Sequence, residues 1–282
     1  MDGANINGTG NDEDNIISGN AGNNILAGLG GADILYGGTG NDTATFAASP
    51  AGVNVSLTTH SSSGGDAEGD ALYVENLTGS AFNDLLEGDG GNNVLVGGAG
   101  SDTVSYEHAS SGVTVSLAIT AAQVTGAGVD MLSGFENLTG SNFDDVLTGS
   151  SAANVITGLD GNDTLTGLAG TDTLIGGTGS DHFVFAAAPD SRPNAPDVIV
   201  DFEHGDSIDL TAIDANTSHN AKGDQAFGFG GQNSSVVANT VTWFEQGGNT
   251  FVQADVNGDA KADFTVELLG INHNLTASDF LL

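Results

Sequence analysis

A nine-residue period governs what this chain can fold into. Laid in nines from Gly10, the sequence gives GNDEDNIIS, GNAGNNILA, GLGGADILY and GGTGNDTAT, ending at Thr45; from Gly79 it gives GSAFNDLLE, GDGGNNVLV and GGAGSDTVS, ending at Ser105. From Gly140 it gives GSNFDDVLT, GSSAANVIT, GLDGNDTLT, GLAGTDTLI and GGTGSDHFV, ending at Val184. Twelve units share Gly in the first place, Asp or Asn in the sixth and an apolar residue in the eighth, where Ala44 is the weakest occupant. Glycines in the first, second and fourth places permit the positive φ and close backbone approach that a tight turn needs. The last three residues of each unit make a short strand whose eighth-place side chain points inward while its neighbours point outward. Two units make a coil of 18 residues, so stacked coils form two parallel sheets with an aliphatic ladder between them. The expected fold is all-β, a right-handed parallel β-roll.

Two longer segments, residues 46–78 and 106–139, interrupt the frame and resemble each other. Ala51-Gly52-Val53-Asn54-Val55-Ser56-Leu57 answers Ser111-Gly112-Val113-Thr114-Val115-Ser116-Leu117, and Glu75-Asn76-Leu77-Thr78-Gly79-Ser80 answers Glu136-Asn137-Leu138-Thr139-Gly140-Ser141. Each holds a degenerate turn, Gly69-Asp70-Ala71-Leu72 and Gly128-Val129-Asp130-Met131-Leu132, so the roll is expected to run through both with wider loops. The roll is thus assigned to residues 1–184. After it Pro189, Pro193 and Pro196 mark a bend, and strand-like runs follow at 198–200, 240–245, 250–256 and 263–269. Residues 185–282 are expected to form a β cap closing the last coil, as solenoids require.

Charge is the second constraint. The 282 residues hold 37 Asp and Glu against 3 Lys and Arg, a formal charge of −34. A compact fold confining that much like charge repels itself unless cations are bound within it. A disordered polyanion would have blocky charge and few branched aliphatics; here the aliphatics recur at a fixed offset from single Asp residues. Arg192, Lys222 and Lys261 are the basic side chains and none precedes residue 192, which excludes nucleic-acid binding through a basic patch. The absence of Cys removes disulfides and thiolate chemistry. No apolar run of 18 residues supports a spanning helix. Met1-Asp2-Gly3-Ala4-Asn5 does not resemble a cleavable signal peptide.

Calcium suits this pattern, because a hard cation taking six to eight oxygens in tolerant geometry can use one carboxylate per turn plus backbone carbonyls. Several Ca²⁺ ions are expected, with Asp33, Asp42, Asp84, Asp102, Asp145, Asp163, Asp172 and Asp181 as metal ligands. Turns 18 residues apart stack, pairing Asp84 with Asp102, Asp145 with Asp163, and Asp163 with Asp181. Asn15, Asn24, Asn93 and Asn154 keep an oxygen but lose the charge, so pairs such as Asn24 with Asp42 and Asn154 with Asp172 are expected to be weaker. One Asp in a Gly turn is by itself an ordinary turn former; a dozen such turns at fixed phase are not. With a Kd of about 10⁻⁴ M and extracellular Ca²⁺ near 10⁻³ M, each ion adds about 1.4 kcal/mol, so a chain disordered inside the cell folds outside it. Asp255 to Asp263 alternates acids and Asn like an EF-type loop, but Val266 stands where the bidentate Glu belongs, and a structural turn is expected there.

The twelve units resemble the nonapeptide G-G-x-G-x-D-x-U-x of the RTX (haemolysin-type) calcium-binding family. Residues 183–282 are similar to the C-terminal domain of serralysin-type secreted metalloproteases, through Phe183-Val184-Phe185, Asp197-Val198-Ile199-Val200-Asp201-Phe202, Gly205-Asp206-Ser207-Ile208-Asp209-Leu210 and Asp279-Phe280-Leu281-Leu282. The resemblance implies a secreted, extracellular protein exported by a type I secretion apparatus that reads an uncleaved C-terminal signal. In layout the chain is also similar to the small secreted calcium-binding nodulation proteins of rhizobia. Departures bear on activity. No H-E-x-x-H and no G-x-S-x-G occurs, and His60, His108, His182, His204, His219 and His273 have no ligand spacing. A carboxylate-based glycan enzyme is disfavoured because no basic residue precedes Arg192 to stabilise charged transition states.

The sequence therefore supports a non-catalytic calcium-binding protein acting at a surface or in the extracellular matrix, with surface polysaccharide or anionic membrane as candidate partners. The alternative is a calcium-binding and secretion module of a larger secreted enzyme, a metalloprotease, lipase or alginate epimerase.

Overall fold

The computed structural model describes residues 4–217 and 225–282; Lys222 and His219 lie outside them. Two compact units divide the chain, residues 1–141 and 142–282. Among the described residues every regular element is a strand or a single 3₁₀ turn.

In the first unit most strands are three residues long and stack in parallel. One sheet contains Gly8–Thr9, Ile25–Ala27, Thr43–Thr45, Asn76–Thr78, Val94–Val96 and Val129–Ser133, with Gln123–Val124 antiparallel at its end. A second stacks Ile16–Ser18, Ile34–Tyr36 and Ala71–Tyr73. A third stacks Asn54–Ser56, Leu85–Glu87, Thr103–Ser105 and Asn137–Thr139, with Ser61–Ser63 folded back antiparallel on Asn54–Ser56. Register puts eighth-place residues in ladders with residues of the interrupting segments: Leu26, Ala44, Leu77, Leu95 and Leu132 in one sheet, Val55, Leu86, Val104 and Leu138 in another. These ladders are the core and are buried throughout. Ala44, the smallest rung, is fully covered as well.

Both interrupting segments keep the ladder. In the first, Ala71–Tyr73 and Asn76–Thr78 are separated by Val74 and Glu75 alone, so a whole turn is replaced by a corner. In the second, Val129–Ser133 and Asn137–Thr139 make the same corner through Gly134, Phe135 and Glu136. The length added by each segment goes into a hairpin-like excursion instead: Asn54–Ser56 with Ser61–Ser63, and Gln123–Val124 with Val129–Ser133.

Among the described residues of the second unit the strands form two sheets. One stacks Val146–Thr148, Thr164–Thr166, His182–Val184, Ser207–Asp209 and Phe280–Leu281 in parallel, with Leu165, Phe183, Ile208 and Phe280 as successive inward rungs. The other stacks Val155–Asp160, Thr173–Thr178, Asp197–Ile199 and Phe264–Leu268 in parallel, then adds Asn249–Ala254 and Thr240–Gln246 antiparallel and Gly228–Gln232 at the edge. The segment after residue 184 is thus built onto the same two sheets as the last repeats. That continuity is why the backbone shows no division at 184/185.

The turns refine the expectation for glycine. Positive φ occurs in the second place (Gly38 at 110°, Gly98 at 125°, Gly177 at 102°) and the fourth (Gly40 at 133°, Gly161 at 136°), where glycine is favoured for conformation. The first-place glycines have ordinary φ. Their need is space, because a Cβ on Gly158 would lie on the Asp163 carboxylate and the Gly176 carbonyl oxygen.

Candidate metal centre

Sixth-place residues stand in columns, one per coil, and each column is wired in one direction. The backbone N–H of Asp145 donates to Oδ1 of Asp163 (2.8 Å), that of Asp163 to Oδ1 of Asp181 (2.9 Å), and that of Asp181 to Oδ1 of Asp206 (2.9 Å). Beside it, Asn154 donates to Asp172 (2.8 Å) and Asp172 to Asp197 (2.9 Å). In the first unit Asn15 donates to Asp33 and Asn24 to Asp42, both at 2.7 Å, while Asp84 donates to Asp102 at 2.9 Å. All eight candidate ligands are buried, and the pairs expected to stack do so.

The columns also recruit residues outside the nonapeptides. Asp33 donates to Asp70 (2.8 Å) and Asn93 to Asp130 (3.0 Å) across the two interrupting segments, and Asp42 and Asp102 donate to Oε2 of Glu75 and Glu136. Asp70, Asp130, Asp197 and Asp206 were not among the residues expected as ligands. The signal for them is an Asp two places before a buried aliphatic, here Leu72, Leu132, Ile199 and Ile208.

What distinguishes these carboxylates is the second oxygen. Oδ2 of Asp33, Asp42, Asp70, Asp102, Asp163, Asp172 and Asp197 is buried and has no hydrogen-bond partner. A buried carboxylate oxygen left alone costs about 1–3 kcal/mol or more, and natural folds leave very few such atoms without cause. Among the described residues no Lys or Arg enters the columns: Arg192 donates to the Pro189 carbonyl, and Lys261 pairs with Asp259 at 3.3 Å. Burial, and next to it the neighbouring carboxylates, pushes Asp163 up to about 7 and Asp181 to about 6. The same causes push Asp70 to about 6, Asp172 to about 6 and Asp197 to about 8. Among the described residues no three acidic or imidazole side chains converge on one point, so a cation here would take one carboxylate from a turn and fill its shell with backbone oxygens. The Gly176 carbonyl beside Oδ2 of Asp163 offers such an oxygen. That donor set fits a hard divalent cation such as Ca²⁺.

A second class of turn lacks the free oxygen. The N–H of Asn11, Asn20, Asp89 and Ser150, each in the second place, donates across its own turn to Oδ1 of Asn15, Asn24, Asn93 and Asn154, at 2.6–2.9 Å. Asp84 belongs with them. Its Oδ2 accepts the Ser80 N–H (2.6 Å), and its Oδ1 accepts the Ser80 hydroxyl and the Val53 N–H (both 2.8 Å). Asp130 is likewise engaged, its Oδ2 accepting the Thr125 hydroxyl (2.8 Å) and the Tyr106 hydroxyl (3.2 Å).

The loop at 255–263 spends its carboxylates on itself. Oδ1 of Asp255 accepts the N–H groups of Asn257 and Gly258, its Oδ2 accepts that of Ala260, and Asp263 accepts that of Val256. This is the geometry of a self-capped turn joining two strands.

Comparison with known proteins agrees with the turns. The model of the RTX calcium-binding nonapeptide repeat, in four copies, matches residues 9–44 and 73–104. Serralysin G of Dickeya chrysanthemi is 37% identical over 89 residues, which are 31% of this chain and 17% of that protein, so the chain spans less than a fifth of that curated relative. Among solved structures, the AlgE6R2 subunit of the Azotobacter vinelandii mannuronan C5-epimerase is 28% identical, with a TM-score of 0.35, covering 51% of this chain and 91% of its own. The AlgE6R3 subunit of the same enzyme is 22% identical, with a TM-score of 0.32, covering 71% and 78%. The family model described as Peptidase M10 serralysin C terminal matches residues 135–282, taking in the last repeats together with the strands built onto them. With more than half its length in that match and nonapeptides of the calcium-binding type ahead of it, the chain belongs to the serralysin C-terminal domain family and is an RTX repeat protein.

Proposed function

We propose that the chain is a secreted calcium-binding protein that folds when it meets extracellular Ca²⁺ and then acts as a non-catalytic module at a surface or in the extracellular matrix. The observation that supports this best is the set of seven buried, partnerless Asp oxygens, each in a column. At submicromolar Ca²⁺ those atoms oppose the compact state. At millimolar Ca²⁺ each bound ion offsets that cost and the coil is favoured. Of the eight expected ligands, the sites would be Asp33, Asp42, Asp102, Asp163, Asp172 and Asp181, whose turns have Gly or Leu in the second place, with backbone carbonyls completing each shell; Asp84 and Asp145 stand in turns with Ser80 and Ser141 there.

A second reading draws on the length of the relative: Serralysin G is several times longer than the matched segment, and the matching family is defined by the C-terminal part of a peptidase. In that reading the module accompanies an enzyme through a type I secretion apparatus and supports its folding outside. Both readings share one test. Far-UV circular dichroism is followed while CaCl₂ is added to chelator-treated protein, with MgCl₂ as control. A cooperative coil-to-β transition in the sub-millimolar to millimolar range, specific to Ca²⁺, is expected. A full β spectrum in chelator, unchanged by calcium, would refute both.

A further inference from the structure

The two classes of turn differ at a position other than the acidic sixth place. In every nonapeptide whose sixth-place Asp keeps a partnerless Oδ2, the second-place residue is left-handed: Leu29 (68°), Gly38 (110°), Gly98 (125°), Leu159 (88°) and Leu168 (68°), for Asp33, Asp42, Asp102, Asp163 and Asp172 in turn. Where the second place holds Asn11, Asn20, Ser80, Asp89 or Ser150, its N–H closes the turn onto the sixth-place side chain. Left-handed backbone is uphill for leucine. Three leucines held there, each in a turn with a free carboxylate oxygen, mark conformations that something else must stabilise. The left-handed residue also redirects its neighbours. In the Val155–Asp160 and Thr173–Thr178 strands the ladder runs on into the turn, pairing Leu159 with Gly177 and Asp160 with Thr178, so the turn bonds to the next coil and not across itself.

We propose that the second-place residue, and not the acidic sixth place alone, decides which turns take calcium: Gly or Leu opens the turn, and Ser, Asn or Asp closes it. This rests on the calcium-binding reading above. In most turns the two rules agree, since four of the six turns with Ser, Asn or Asp in the second place carry Asn in the sixth; the other two are the Ser80–Asp84 and Ser141–Asp145 turns. The Gly79–Asp84 turn separates them: it has the acid, but Ser80 holds both of its oxygens. Asp84 is therefore a turn cap that binds no ion, and Ser80 is the residue that excludes it.

The test counts ions by native mass spectrometry on calcium-loaded protein, with circular dichroism confirming the folded state. Asp84→Asn is expected to leave the ion count unchanged, Asp102→Asn to lower it by one, and Ser80→Gly to raise it by one through opening the Asp84 turn. Gly98→Ser is expected to lower the count by one with Asp102 intact. Loss of an ion in Asp84→Asn, or an unchanged count in both Ser80→Gly and Gly98→Ser, would overturn the proposal. A wild-type chain that binds no calcium would instead overturn the reading on which it rests. If Gly98→Ser fails to fold, the Asp84→Asn and Ser80→Gly pair still decides the matter.

Discussion

Replacing Asp163 by Asn should change stability in opposite directions with and without calcium. Asp163 is fully buried; its Oδ1 accepts the Asp145 N–H at 2.8 Å, and its own N–H donates to Asp181 at 2.9 Å. Asparagine keeps the acceptor and puts a neutral N–H₂ in the place of Oδ2, on the side where the Gly176 carbonyl stands. In chelator the substitution removes a buried partnerless oxygen and its charge, and should stabilise the fold by about 1–3 kcal/mol. With free Ca²⁺ at about 1,000 times Kd it also removes an ion worth about 4.1 kcal/mol, so the net change there is a loss of about 1–3 kcal/mol. The assay is urea unfolding followed by Trp243, the one tryptophan, whose indole N–H donates to the Leu275 carbonyl at 3.1 Å in the same unit. Where the chelated chain is too unfolded for a urea curve, a trimethylamine N-oxide titration measures the same difference from the unfolded side. Destabilisation by the same amount in both conditions would refute the reasoning and reduce Asp163 to an ordinary turn former.

Other perturbations follow from the same geometry. The carboxyls of Asp163, Asp197, Asp172, Asp181 and Asp70 are raised to about 6–8 in the fold, above the ordinary carboxylate value near 3.8. Their contribution to stability is therefore present at low pH and lost as pH rises through 6–8; in chelator, lowering pH from 8 to 5 should increase β structure by circular dichroism, and a fall would count against the raised values. Gly158→Ala, which sets a methyl on the Asp163 carboxylate and the Gly176 carbonyl, should weaken calcium-induced folding. Gly90→Ala, with open space around it, should leave thermal midpoints nearly unchanged. Leu165→Ala, in the fully buried rung between Leu147 and Phe183, should cost about 2–5 kcal/mol in calcium, measured by urea unfolding.

Much of this was legible in the period. Gly first, Asp sixth and an aliphatic eighth located the strands, the ladder and the columns, because a strand of three residues has one inward position and leaves no ambiguity of face. The expected strands near 198–200, 240–245, 250–256 and 263–269 appear at Asp197–Ile199, Thr240–Gln246, Asn249–Ala254 and Phe264–Leu268. Two things were not legible. The columns accept spacings of 18, 25 and 37 residues, which carried Asp70, Asp130, Asp197 and Asp206 into them past any fixed frame. Equal spacing also hid a difference in hydrogen bonding: Asp84 and Asp102 occupy the same place in their units, and only the donor at Ser80 sets them apart.

The one-way wiring of the columns has a consequence for how either unit assembles. Each sixth-place N–H donates to the side chain of the following coil, so a finished coil displays a row of unused donors toward its C-terminal side and a row of used acceptors toward its N-terminal side. Such a stack is a one-dimensional lattice with a direction: adding a coil downstream satisfies donors already in place, whereas adding one upstream must bring its own. Its stability should scale with the number of contiguous coils, and its fraying should be unequal at the two ends, as in a polar filament shortened to a few subunits.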